Sequence, residues 1–163
     1  GNTISNSSNG ISLYYLGDNN TINNNIISNN NIGILLIYSG SDTTISGNHF
    51  SNNGDAIRLL NSYNVIITNN NFSNNYFGIG LWYSSNTTIF FNNFYNCFEG
   101  IWFNYATDII VFKNNIINCE IGFDFFQSDN NNIQNNTFLS GGIVVTNSFY
   151  NIITNNIING KIK

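Results

Sequence analysis

Eight carboxylates, four basic residues, one histidine and two cysteines carry almost all the reactive chemistry of this 163-residue chain. Glu99, Glu120 and Asp124 fall close together in sequence, on either side of the aromatic run that contains Trp102. Two carboxylates can divide the work of cleaving a glycosidic bond, at about 5–5.5 Å for retention and about 6.5–9.5 Å for inversion. No histidine or arginine completes the group, so the expectation is that the chain is not an enzyme. Asp18, Asp42, Asp108 and Asp129 recur in similar turn-like contexts and could offer stacked oxygen ligands to calcium. Asn64 and Asn86 interrupt that series, and neither a metal nor a cofactor is expected. His49 stands alone and reads as a surface residue. Cys97 and Cys119 are 22 residues apart, without the Cys-x-x-Cys spacing of a redox site.

Composition narrows the classes further. Net charge is −4 with four Lys and Arg, too few to neutralise a run of phosphates, so no nucleic-acid partner is expected. No apolar stretch approaches the roughly 18 residues of a membrane span. Hydrophobic residues make up 42% and aromatic residues 15%, enough for a core. The 39 Asn and 27 Ile, with no Pro, disfavour helices and favour strands and turns.

What must position these residues is a repeat. One apolar column runs Ile4, Ile27, Phe50, Phe72, Phe94, Ile116, Phe138, Ile158, at spacings of mostly 22 or 23 residues. Ile67, Ile89 and Val111 belong to a second column, Ile79 and Ile101 to a third, and Leu81 and Phe103 to a fourth. Two residues before the first column stands an asparagine, from Asn2 through Asn92 to Asn156, and two after it another, from Asn6 to Asn118. A glycine or alanine precedes the third column, as at Gly78 and Gly100. A period this short fits a coil of three strands stacked on the next, with equivalent residues about 4.8 Å apart in parallel pairing. Stacked asparagines can bond along the rod and at its corners.

The pattern Thr88-Ile89-x-x-Asn92-Asn93-Phe94 followed by Gly100-Ile101-x-Phe103 resembles the repeat of parallel β-helix proteins: NosD-like proteins, pectate-lyase-like enzymes and archaeal adhesin-like surface proteins. The resemblance covers essentially the whole chain. It implies an all-β fold, a right-handed single-stranded parallel β-helix (β-solenoid) of about seven coils with 22–23 residues each. One domain over residues 1–163 is expected, uncapped at both ends. The copper-linked role of NosD-like proteins does not carry over, because copper prefers His, Met or Cys ligands and these are scarce here.

In this frame Glu99 and Glu120 take nearly the same place in successive coils. Cys97 and Cys119 become vertical neighbours about 5 Å apart, within disulfide range, either as stacked thiols or as a bridge. If Ile79 and Leu81 point inward, an apolar strip of Leu35, Ile37, Leu60, Trp82, Trp102, Phe126 and Val144 points outward, followed by Tyr83 where the strand turns. Such strips are covered by a partner or by the face of a sugar. Few polar groups stand beside it, which favours a protein interface. Asn71 and Asn86 head exposed Asn-x-Ser/Thr sequons, whereas Asn6 should be inaccessible within its ladder. The expected function is an extracellular or cell-surface structural protein, self-associating head to tail or laterally into a filament, sheath, surface layer or adhesin stalk. The alternative is a carbohydrate-binding or polysaccharide-degrading module.

Overall fold

The structure is a computed structural model that describes residues 1–15, 19–39 and 42–159. One coil shows the plan. Strand Thr88–Phe90 leads through a corner to Asn93–Tyr95, a second corner leads to the longer strand Glu99–Asn104, and a third returns the chain one level up at Ile110–Phe112. Among the described residues, repetition produces three parallel sheets. Sheet I has eight strands, from Thr3–Ser5 to Ile157–Ile158. Sheet II has seven six- or four-residue strands, from Asn9–Tyr14 to Ile143–Thr146, and sheet III has seven, from Thr21–Asn23 to Ile152–Thr154. The molecule is a parallel β-solenoid of about seven coils, roughly 34 Å along its axis.

The apolar columns fill the bore. Ile67, Ile79, Leu81, Ile89, Phe94, Ile101 and Phe103 are all fully buried. Phe50, Phe72 and Phe94 stack face to face at 5.0 and 4.7 Å, and Phe103 stacks on Phe125 at 4.0 Å. Like residues fall on like residues because each sheet keeps its register: Phe72 pairs with Phe94, and Ile79 with Ile101.

The polar ladder at Asn92 is equally regular. Its backbone N–H donates to Asn114 Oδ1 at 2.9 Å, and Asn70 donates in the same way to Asn92 Oδ1. Its side-chain amide donates to the carbonyls of Ile67 and Phe90 and to Asn114 Oδ1. The second asparagine column behaves differently from expectation. Asn6, Asn29, Asn52, Asn74, Asn96 and Asn118 are in the left-handed backbone region, and Asn6 is exposed, not inaccessible. The buried ladder is one residue further on, at Asn30, Asn53 and Asn75. Left-handed geometry turns the chain by one residue, so the corner residue faces water and its successor faces the bore. The same rule places left-handed Phe91 before Asn92 and left-handed Tyr83 before buried Ser84.

Candidate functional site

The outer face of sheet II gathers most of the polar and aromatic side chains of interest, through an irregularity at the glycine column. A β-carbon at Gly78 would lie 2.6 Å from Phe94 Cδ1, so this position faces the bore, as does its successor Ile79. Two successive inward residues reverse the alternation. The residue before the glycine therefore faces outward, in the column Ile32, Asp55, Phe77, Glu99, Ile121. Simple period-2 counting hid this column, and the two adjacent small or apolar inward positions are the signal that exposes it.

Asp55, Phe77 and Glu99 thus stand beside the strip at Arg58, Gly80, Trp102 and Asp124. The Nε of Arg58 donates to Asp55 Oδ2, and the guanidinium lies 4.8 Å from the ring centre of Trp82. Trp82 folds over bare backbone: a β-carbon at Gly80 would come within 2.0 Å of its Cζ3. Trp82 meets Trp102 edge-on at 4.8 Å, and Trp102 stacks on Phe77 at 5.0 Å. The corners continue the aromatic surface, with Tyr76 stacked on Phe98 at 4.7 Å on one side and Tyr83 on Tyr105 at 4.8 Å on the other.

This geometry changes several expectations. Leu35 is buried, and Ile37, Leu60, Trp82 and Trp102 are half-buried against their neighbours, so the strip is less bare than its composition implied. Phe126 and Val144 do remain exposed, the latter in the last paired coil of sheet II. Nor is the strip short of polar company, since Asp55, Arg58, Glu99, Asn104 and Asp124 all line it. Glu99 and Glu120 are not stacked. Glu99 pairs with Ile121, which places Glu120 one residue earlier, exposed in the corner beside Phe98. Asp42 and Asp108 are exposed left-handed corner residues, whereas Asp129 belongs to the preceding column and accepts a bond from Phe149 N–H. Asp18 lies outside the described residues. His49, Asn71 and Asn86 are exposed, and Asn71 Oδ1 accepts from the Asn93 side chain at 2.9 Å. Cys97 and Cys119 are buried free thiols that continue the Asn75 ladder. The hydrogen bond between them pulls the Cys97 thiol down and pushes that of Cys119 up.

The chemically distinctive group is Glu99. The residue is 8% exposed, and its buried Oε2 has no hydrogen-bond partner among the described residues. Burial, with the charge of Asp124 adding to it, pushes its pKa up to about 7. Burial also raises the Asp124 carboxyl, and raises Asp55 despite the opposing Arg58. A carboxyl that titrates near neutrality can both give and accept a proton at physiological pH. The linkage has a definite sign. Glu99 holds its proton more tightly in the folded chain than in the unfolded one, where its pKa is 4.5, so its contribution to stability is full below that value. It is lost as pH rises through about 7. Thermal unfolding followed across this range should show a falling midpoint, flattened in Glu99→Gln and moved to lower pH in Asp124→Asn. An identical slope in Glu99→Gln would show that other groups set it.

Comparison with known proteins bears on the fold. A family model described as a right-handed beta helix region matches residues 1–62 and 35–158. Comparison with curated proteins returns no match. Among solved structures, the A-module of the Azotobacter vinelandii mannuronan C-5 epimerase AlgE4 superposes with a TM-score of 0.65 at 14% identity. The alignment covers 97% of this chain and 57% of that one, so this chain spans little more than half the length of its neighbour. The likeness is one of fold. It nevertheless overturns the expectation that the chain is not an enzyme, because the same solenoid architecture serves an enzyme there. The absence of a familiar catalytic motif on a weakly charged β-helix was no ground for excluding catalysis.

Proposed function

The chain belongs to the right-handed β-helix family, and on that footing we propose that it is a carbohydrate-active module whose sheet II binds a polysaccharide and exchanges a proton with it through Glu99. The observation that carries this reading is a buried glutamate with a bare carboxyl oxygen, paired with Phe77 on the face that carries Trp82 and Trp102. Pyranose rings present flat apolar faces that stack on aromatic side chains, and their hydroxyls supply the donors an unpartnered carboxyl oxygen needs. The raised carboxyl of Glu99 suits a general acid, held protonated first by burial and then by the neighbouring charge of Asp124. The epimerase module named above supports a polysaccharide as ligand by its fold alone.

The test is truncation of Trp102, which is half-buried on the outside of the coil and leaves Ile101 and Phe103 in place. Trp102→Ala should weaken binding to a soluble polysaccharide about tenfold or more, with unchanged circular dichroism. The second reading, an extracellular self-associating stalk or filament, draws on the exposed Phe126, which meets Tyr105 edge-on at 5.9 Å beside the exposed Tyr83. The same variant distinguishes the two. On the self-association reading it would change the sedimentation coefficient and leave glycan affinity untouched.

A further inference from the structure

Resting on the polysaccharide reading, we infer that the glycan taken by sheet II is uncharged: a polymer of neutral sugars and not of uronates or sulfated sugars. The face carries Asp55, Glu99 and Asp124 against one cation, Arg58. That cation is already committed, bonded to Asp55 and laid over Trp82. The other described cation, Lys113, stands at a corner between sheets III and I, with its ammonium 5.4 Å from the Phe91 ring, and Lys161 and Lys163 lie outside the described residues. Among the described residues no uncommitted cation on the face is placed to pair with a carboxylate or sulfate, and Asp124 repels one.

The hydrogen-bonding demand has the same sense. Glu99 Oε2 has no hydrogen-bond partner among the described residues, in a residue more than nine-tenths buried. A sugar hydroxyl satisfies it. A uronate carboxylate at that spot would bring a second anion beside Asp124, and as pH rises through about 7 it would face an ionised Glu99 as well. Asn104, half-buried at the far end of the same strand, supplies an amide that can pair with a hydroxyl in either direction. The aromatic corners, Tyr76 with Phe98 and Tyr83 with Tyr105, extend a surface that reads ring faces and carries no charge.

The experiment is calorimetric titration of the full chain with soluble neutral glycans (a mixed-linkage β-glucan and a galactomannan) and with polygalacturonate, each at low and high salt. A neutral glycan should bind at least tenfold more tightly than polygalacturonate at low salt. Its affinity should change less than about twofold as salt rises from about 0.02 to 0.5 M, because no ion pair is made. Trp102→Ala should abolish the difference by weakening the neutral glycan. Tighter binding of polygalacturonate, lost in Trp102→Ala, would overturn the inference while leaving the polysaccharide reading in place. Binding of neither class would remove the polysaccharide reading, and this inference with it.

Discussion

Phe94→Ala should lower the free energy of unfolding by about 3–5 kcal/mol. Phe94 is fully buried, stacks on Phe72 at 4.7 Å and lies against the backbone at Gly78. Truncation removes the transfer free energy of the ring and leaves a void that the coil cannot close. The strands above and below are held in register by their own hydrogen bonds, Phe72 opposite Phe94 and Phe94 opposite Ile116. The damage should also be local in form. A coil touches only its two neighbours, so weakening one interface divides the stack, and denaturant unfolding should broaden as well as shift. Tryptophan fluorescence follows it directly, because Trp82 and Trp102 sit on the affected coils. A loss below about 1 kcal/mol would mean the bore collapses around the gap, against the register described.

Asn92→Ala should be comparably severe, by about 3 kcal/mol or more, although no apolar surface is lost. The residue is fully buried and its amide serves five partners: it donates to Ile67, Phe90 and Asn114, and accepts from the main-chain and side-chain N–H groups of Asn70. Alanine leaves all of them facing a dry corner, and each unsatisfied buried group costs about 1–3 kcal/mol unless water enters. Asn93, its sequence neighbour, is the control. It is exposed and its side chain joins a surface ladder to Asn71 and Asn115. Asn93→Ala should therefore change stability by less than about 0.5 kcal/mol. Equal effects from the two substitutions would remove the distinction between the inner and outer ladders.

Those two asparagines also mark what could be read from sequence. The solenoid was legible because a stacked coil must place like residues on like residues, and Phe50, Phe72 and Phe94 declare it. The inward set was legible for the same reason. Side-chain direction at corners was not, since one left-handed residue shifts the alternation. Asn6 read as buried when Asn30 held the buried place, and Glu99 and Glu120 read as partners when they lie one column apart. The site suffered most from this. Trp82, Trp102, Glu99 and Asp124 were named, but Phe77 and Asp55 joined them only through the paired inward positions at Gly78 and Ile79. The shift of the Glu99 carboxyl toward neutrality was not legible either, because burial is a property of the assembled face.

The ladders have a mechanical consequence. Every bond that joins coil to coil, in the three sheets and in the asparagine columns, runs along the axis of the rod. Tension applied to the two ends loads those bonds from the outermost coil inward, a few at a time, as a zipper is loaded at its slider. The chain should yield at low force and in steps, one coil per step. Each step frees about 22 residues and so adds roughly 75 Å of contour length. Sideways load meets the opposite response, because it is shared by whole strands and by the ring stacks between them. The rod is stiff across its width and ductile along its length.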